Sequence, residues 1–213
     1  MFYFVFQSSF METNEYIDQL RDIRSIMDKS TRFLSLSGLS GVLAGVYALI
    51  GAIAVDMIID RSKYPYVTLY SKEFKLICAI AAAVLVLSIL TAYILSKGKS
   101  RKTGEKLWSS ASKRLLVNFA IPLVTGGAFG ISLLQTGHYG LIAPVTLIFY
   151  GLSLFQASKY TLESIRYLGM SFIALGLINC WFVGYGLYFW ALGFGVFHII
   201  YGSVMYFKLE RNN

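Results

Sequence analysis

The stretch STRFLSLSGLSGVLAGVYALIGAIA, Ser30 to Ala54, decides the fold class. From Phe33 to Ile59 the only charged residue is Asp56. At 1.5 Å of rise per residue, an apolar run of that length exceeds the roughly 30 Å hydrocarbon core of a bilayer. Small residues recur along it every four positions. Ser37, Gly41 and Gly45 form one row, and Ser40, Ala44, Ala48 and Ala52 form the row beside it. On a helix such rows make a flat face that a second helix can approach backbone to backbone, the contact that holds helices together in lipid. The segment predicts a transmembrane helix around which the rest of the chain packs, with Asp56 near its far interface.

Composition points the same way. Of 213 residues 56% are hydrophobic and only 14% charged, against about 25% charged in soluble domains. The mean hydropathy is +0.62. The net charge of +8 raises nucleic acid as a partner, but the basic residues flank apolar spans, where they set orientation in a membrane, and no nucleic-acid-reading module fits. Cys78 and Cys180 lie in different spans, and no CxxC or Cys/His spacing suits a metal. No metal or other cofactor is expected.

The pattern along the chain predicts an all-α, polytopic bundle of six transmembrane helices preceded by a short amphipathic interfacial helix. MFYFVFQSSF, before Met11, is aromatic and uncharged and lacks the basic start of a signal peptide; Met11 reads as the true start. Between Glu12 and Lys29, Tyr16, Leu20, Ile23 and Met27 recur at helical spacing, with Arg21 and Arg24 elsewhere on the wheel. Such a helix suits an anionic headgroup layer. Residues 1–32 thus form a leader, 33–207 the membrane domain and 208–213 a tail. The spans are expected at Phe33–Ile58, Phe74–Leu95, Leu115–Leu134, Tyr139–Ala157, Ile165–Val183 and Leu187–Phe207. Lys and Arg number fifteen in the leader, the loops 97–114 and 158–166 and the tail, against four in the remaining connections. That asymmetry predicts both termini in the cytoplasm. A YGL string opens both the fourth and the sixth span, at Tyr139 and Tyr185, which hints at a duplicated hairpin.

Few residues could carry chemistry. GLSG, Gly38 to Gly41, resembles the GxSG turn of rhomboid-type intramembrane serine proteases, which would cast Ser40 as nucleophile and His198 as base. The string lies at the wrong end of its span for that family, and the asparagine and histidine that serve the oxyanion there have no counterpart in the second span. Ser40 also continues a packing row, so no catalytic residue is assigned. His198, about ten residues from Lys208, falls near mid-membrane, where an imidazole must find a partner or line water. Asn118 precedes Pro122 by four, so the proline leaves its carbonyl without an amide donor. Asn179 sits near the outer end of the fifth span. Asn118, Asn179 and His198 are the expected lining of any polar cavity. Thr125, Thr91 and Ser88 are weaker candidates, since hydroxyls commonly bond back to their own helix. No carboxylate or cation lies deep in a span, and no Gly-rich phosphate loop occurs, which argues against an ion-coupled pump and against nucleotide hydrolysis.

RSIMDKSTRFLSLSGLSGVLAGVYALIGA, from Arg24, and FGVFHIIYGSVMYFK, from Phe194, resemble a family of small bacterial six-span inner-membrane proteins to which no activity is assigned. The resemblance implies a bacterial plasma membrane and brings no functional residues. The expected role is a non-enzymatic sensor, scaffold or regulatory component acting through helix contacts, its partners the lipid bilayer and a cytoplasmic or membrane protein or a second copy. The alternatives are a small transporter or channel for a neutral solute and, more remotely, an intramembrane hydrolase.

Overall fold

The computed structural model describes residues 32, 33, 36–59, 70–104 and 107–209. The leader helix expected at 12–29, the question of Met11 and the end of the tail lie outside the described residues. Among the described residues the chain is all-helical. The helices are α1 (Gly38–Ile58), α2 (Lys72–Thr103), α3 (Ser110–Gln135), α4 (Ile142–Ala157), α5 (Ser164–Trp181) and α6. The last starts at Gly186–Trp190, widens into a π segment at Ala191–Phe197 and resumes as His198–Leu209. Short 3₁₀ turns flank α4 at Tyr139–Leu141 and Ser158–Tyr160.

Five helical stretches are long and apolar enough to cross a membrane. They are α1, α2 through Lys102, α3, Tyr139–Tyr160 and Gly186–Lys208. The remaining one, α5, has 18 residues and includes Arg166 and Asn179, and it is not among the five by length and composition.

Three boundaries differ by five residues or more from the sequence expectation, α3 starting at Ser110 and not at Leu115. Helix α1 starts at Gly38, not Phe33, because Ser37 is extended (φ −95°, ψ 129°) and Phe33 is tied elsewhere. The Phe33 amide donates to the Tyr160 carbonyl at 2.8 Å, and the Thr161 hydroxyl donates to the Phe33 carbonyl at 2.7 Å. Helix α2 continues eight residues beyond Leu95, to Thr103, and ends on Gly104 in the left-handed region (φ 71°), so the start of the basic 97–114 segment is helix, not loop. Lys99 in this extension donates to the Leu36 carbonyl at 2.8 Å. A reciprocal cap between Ser109 and Ser112 then starts α3.

The row Ser37–Gly41–Gly45 foreshadows a close crossing, but it is joined by Gly38, and the partner is α6. A Cβ on Gly38 would stand 2.5 Å from the Tyr206 nitrogen and 2.6 Å from the Gly202 oxygen; one on Gly45 would stand 2.6 Å from the Gly195 oxygen. Gly202 returns the contact, its Cβ position lying 2.5 Å from the Val42 nitrogen. Two backbones touch here, which only glycine permits. Of the second row, Ser40, Ala48 and Ala52 are buried and Ala44 is half-buried. Beyond them, a Cβ on Gly51 would meet the Val84 side chain of α2 at 2.7 Å, and the Tyr47 hydroxyl lies 3.3 Å from that of Thr91.

A second glycine crossing joins α4 to α5. Gly151 and Gly169 face each other, each with a Cβ position 2.7 Å from the other's oxygen, and Gly176 rests on Ile148 and Leu147. The core is here: Leu147 and Leu154 of α4 against Ile165, Leu168, Phe172 and Leu175 of α5. Helix α6 closes the assembly. Its Gly193 faces Leu147, Phe172 and Leu175, while its Gly195 faces Leu49 of α1. Helix α6 therefore bridges α1 to the α4–α5 pair, whereas the sequence suggested that the rest packs around α1; α1 lies between α6 and α2, and α3 leans on α4. One end of the bundle gathers Arg32, Leu36, Lys99, Tyr160 and Tyr206. At the other end the two YGL turns interlock, Gly140 against Val183 and Gly186 against Ala143. Both turns carry a left-handed glycine, Gly137 (φ 79°) and Gly184 (φ 99°).

Glycines in this fold should divide sharply on substitution. Gly202→Ala, which drives a methyl into the Val42 backbone, should cost about 1–3 kcal/mol. Gly127→Ala, with nothing within 4 Å, should be neutral or stabilising by up to about 1 kcal/mol. Ser40→Ala should lie within about 0.5 kcal/mol of the parent. Thermal unfolding of the purified variants in one detergent tests the ranking; equal losses at Gly202 and Gly127 would refute the crossing.

Candidate functional site

The π segment of α6 and the middle of α4 build the most distinctive polar contact of the chain. The sequence ALGFGVF places two glycines in seven residues, and such a stretch can widen to i→i+5 bonding where tertiary contacts favour it. The wide turn brings the His198 ring beside the carbonyl five residues back, with Nδ1 3.4 Å from the Gly193 oxygen. On its other side Nε2 lies 2.8 Å from the Tyr150 hydroxyl. A carbonyl only accepts, so Nδ1 carries the hydrogen in the neutral ring and Nε2 accepts from the Tyr150 O–H.

Aromatic rings surround this pair. Tyr150 meets Phe172 and Phe194 at centroid distances of 4.9 and 4.8 Å and Phe119 at 5.9 Å. His198 stacks on Phe194 at an interplanar angle of 12° and meets Phe172 edge-on, and Phe197 closes on Phe172 at 6.0 Å. Rings at these spacings and tilts attract beyond their buried area. The imidazole therefore sits in a box of rings with each nitrogen facing a partner, in a middle stretch of the bundle that side chains fill.

Asn179 has a different environment. It is completely buried near the end of α5, where its side-chain amide donates to the Phe182 carbonyl at 3.3 Å and its main-chain carbonyl accepts the Phe182 amide. Its Oδ1 has no hydrogen-bond partner among the described residues and points toward the start of α6, 3.9 Å from the Cβ position of Gly186. Gly186 and His198 are twelve residues apart, roughly 18 Å along a helix, so Asn179 and His198 occupy different depths. Asn118 donates to the Arg114 carbonyl of its own helix at 2.8 Å, and α3 continues through Pro122 to Gln135. The three side chains expected to share a cavity thus bond to three separate partners.

The serine readings resolve locally. The Ser40 hydroxyl donates to the Ser37 carbonyl at 2.6 Å. The main chain of His198 passes near Gly41, its oxygen 3.6 Å from that glycine's Cβ position, but the imidazole faces Tyr150 and Gly193, so nucleophile and base are not engaged. Thr125 and Ser88 bond back to the carbonyls of Ile121 and Val84. Cys78 and Cys180 are free thiols, and no group of three metal-ligating side chains occurs among the described residues. Sequence reasoning missed Tyr150, the partner of His198; the signal available was a tyrosine near the middle of the fourth span, where a buried phenol O–H needs an acceptor.

Removing the Tyr150 hydroxyl leaves an imidazole lone pair unpaired in an apolar box, so Tyr150→Phe should cost about 1–3 kcal/mol. His198→Phe combined with it should recover part of that loss, because both polar groups then disappear together. A double-mutant cycle by thermal unfolding reads the coupling, and ¹⁵N shifts of the His198 ring should report hydrogen on Nδ1; additive losses with hydrogen on Nε2 would contradict the assignment. Compared with protein-family models, curated proteins and solved structures, the chain matches none.

Proposed function

We propose that this chain is a six-span bundle of a bacterial inner membrane with both termini cytoplasmic, and that it works as a non-enzymatic sensor, scaffold or regulatory component through helix contacts. The observation that carries this reading is the contrast between the centre and the periphery. The centre is occupied by Tyr150, Phe172, Phe194 and His198, each against the next, which leaves solute passage no support there. The periphery is apolar and open. No residue is buried in the most apolar window of α2, and Ile89, Ile94, Val117, Ile121 and Val124 of α2 and α3 are all more than half exposed. Such faces suit lipid, a partner's helix or a second copy of the chain.

Counting α5 as the sixth span is supported by its packing. It pairs with α4 along the reciprocal glycine contact, and Arg166, its only charged residue, lies in its first turn, where a long side chain can reach the headgroup layer. The excess of Lys and Arg at the end that gathers Arg32, Lys99, Lys159 and Lys208 supports placing that end in the cytoplasm. One observation favours the transport alternative: the Oδ1 of buried Asn179, without a partner among the described residues, is an acceptor that a small polar solute could occupy.

Two measurements test this reading. With Cys78 and Cys180 replaced by Ser, His138→Cys should react with an impermeant maleimide on intact cells, and Trp108→Cys only after permeabilisation; the reverse pattern overturns the orientation. Crosslinking in native membranes should recover a stoichiometric partner or a second copy, while proteoliposomes should show no solute flux that Asn179→Ala changes. A flux abolished by Asn179→Ala would replace this reading with transport.

A further inference from the structure

At the end of the bundle where α1 begins, a cleft of about 280 Å³ is lined by Arg32, Phe155, Ser158, Lys159, Glu163 and Arg166. It joins parts of the chain far apart in sequence. Arg32 precedes α1, whereas the other five belong to the end of α4, the start of α5 and the turn between them. What brings Arg32 there is the buried tie already described: Phe33 and Thr161 are both buried, and hydrogen bonds from the Phe33 amide to Tyr160 and from Thr161 to Phe33 fix the residue that follows Arg32. The guanidinium of Arg166 lies over the Phe155 ring at 5.4 Å, a cation–π contact that holds it beside an apolar wall. Three cations and one carboxylate leave the lining with a formal charge of +2. Converging like charges repel, and a bound anion relieves that repulsion.

We propose that this cleft holds the phosphate of an anionic lipid headgroup, with Arg32, Lys159 and Arg166 as its charge-assisted donors and Glu163 at the rim beside the polar part of the headgroup. The proposal rests on the membrane reading above, in which α4 and α5 leave the hydrocarbon core at this level. A lipid fits better than free phosphate because α5 continues away from Arg166 with Tyr167, Met170 and Leu177 exposed. These residues follow one another at steps of three and seven, a helical spacing that places them on one side of α5, and they offer acyl chains an apolar track beneath the cationic mouth. The tie between Phe33 and Thr161 then gives the site a further consequence: a headgroup bridging Arg32 and Arg166 clamps the entry of α1 to the α4–α5 pair. Lipid occupancy is thereby coupled to the seating of α1.

The test uses the full chain in a neutral detergent. Native mass spectrometry follows adducts as short-chain phosphatidylglycerol, short-chain phosphatidylcholine or inorganic phosphate is added. Phosphatidylglycerol should bind in preference to phosphatidylcholine, and each cation neutralised should weaken it about fivefold. Arg32→Gln with Lys159→Gln and Arg166→Gln should therefore reduce binding by at least tenfold, while Lys97→Gln with Arg101→Gln and Lys102→Gln, on the α2 extension, should not. Lys159→Gln alone serves if the triple variant does not fold. Equal binding of both lipids, equal loss in the two triple variants, or an unaltered Lys159→Gln protein would overturn the proposal. Full competition by millimolar inorganic phosphate would assign the site to a free anion instead of a lipid. Alkaline carbonate extraction of the same variants separates the two levels: release of the parent chain from membranes defeats the membrane reading, whereas retention with no lipid preference defeats this site alone.

Discussion

Everything in this fold depends on how closely helices can approach. In water an apolar helix face is driven against another by the loss of hydrated surface, but lipid tails are as apolar as leucine, and that drive is absent between spans. What remains is dispersion, which falls away within a fraction of an ångström of contact. Glycine pairs supply that proximity twice. Gly38, Gly41 and Gly45 of α1 meet Gly195 and Gly202 of α6, and Gly151 of α4 meets Gly169 of α5. The rest of the bundle is built on those two crossings.

Helix α6 connects them. Its Gly193 lies against the α4–α5 core and its Gly195 against Leu49 of α1, two residues apart but on opposite sides. An offset of two residues turns roughly 160–200° around a helix axis, so the π segment Ala191–Phe197 presents both glycines at once. The same turn places His198 between Gly193 and Tyr150, so the polar contact at mid-bundle and the close packing on either side share one local distortion. The imidazole thus reads as a structural member that fixes the register of α6 against α4, consistent with a role exercised through helix contacts.

Much of this was legible in the sequence, for stated physical reasons. Long apolar runs fix the helices, and the four-residue rows in α1 mark a packing face, because length and small-residue spacing are local properties. Which helix would sit on that face was not legible: Gly202 and Gly195 lie about 150 residues away, and nothing in α1 names them. The sequence reading accordingly packed every helix around α1, whereas α1 packs chiefly on α2 and α6. The π segment was invisible, since ALGFGVF satisfies an α-helical pattern equally well and only tertiary contact selects the wider turn. The partner of Asn118 was not legible either: its amide bonds the Arg114 carbonyl one turn earlier, a contact that the spacing to Pro122 does not announce. The cationic cleft was hidden because Arg32 and Arg166 become neighbours only through the Phe33–Thr161 tie.

The close approach of α1 and α6 is the claim on which the rest stands, and a disulfide measures it directly. A Cβ on Gly195 would lie 2.7 Å from the Leu49 Cγ, close to the roughly 3 Å that separates a Cβ from the far sulfur of a disulfide. Replacing Leu49 also removes the atoms a new side chain would strike. With Cys78 and Cys180 replaced by Ser, Leu49→Cys with Gly195→Cys should form an intrachain disulfide under mild oxidation in native membranes. Leu49→Cys with Ile121→Cys, on the exposed face of α3, should not. Failure of the first pair to crosslink, with both thiols reactive after denaturation, would contradict the arrangement of the bundle described above.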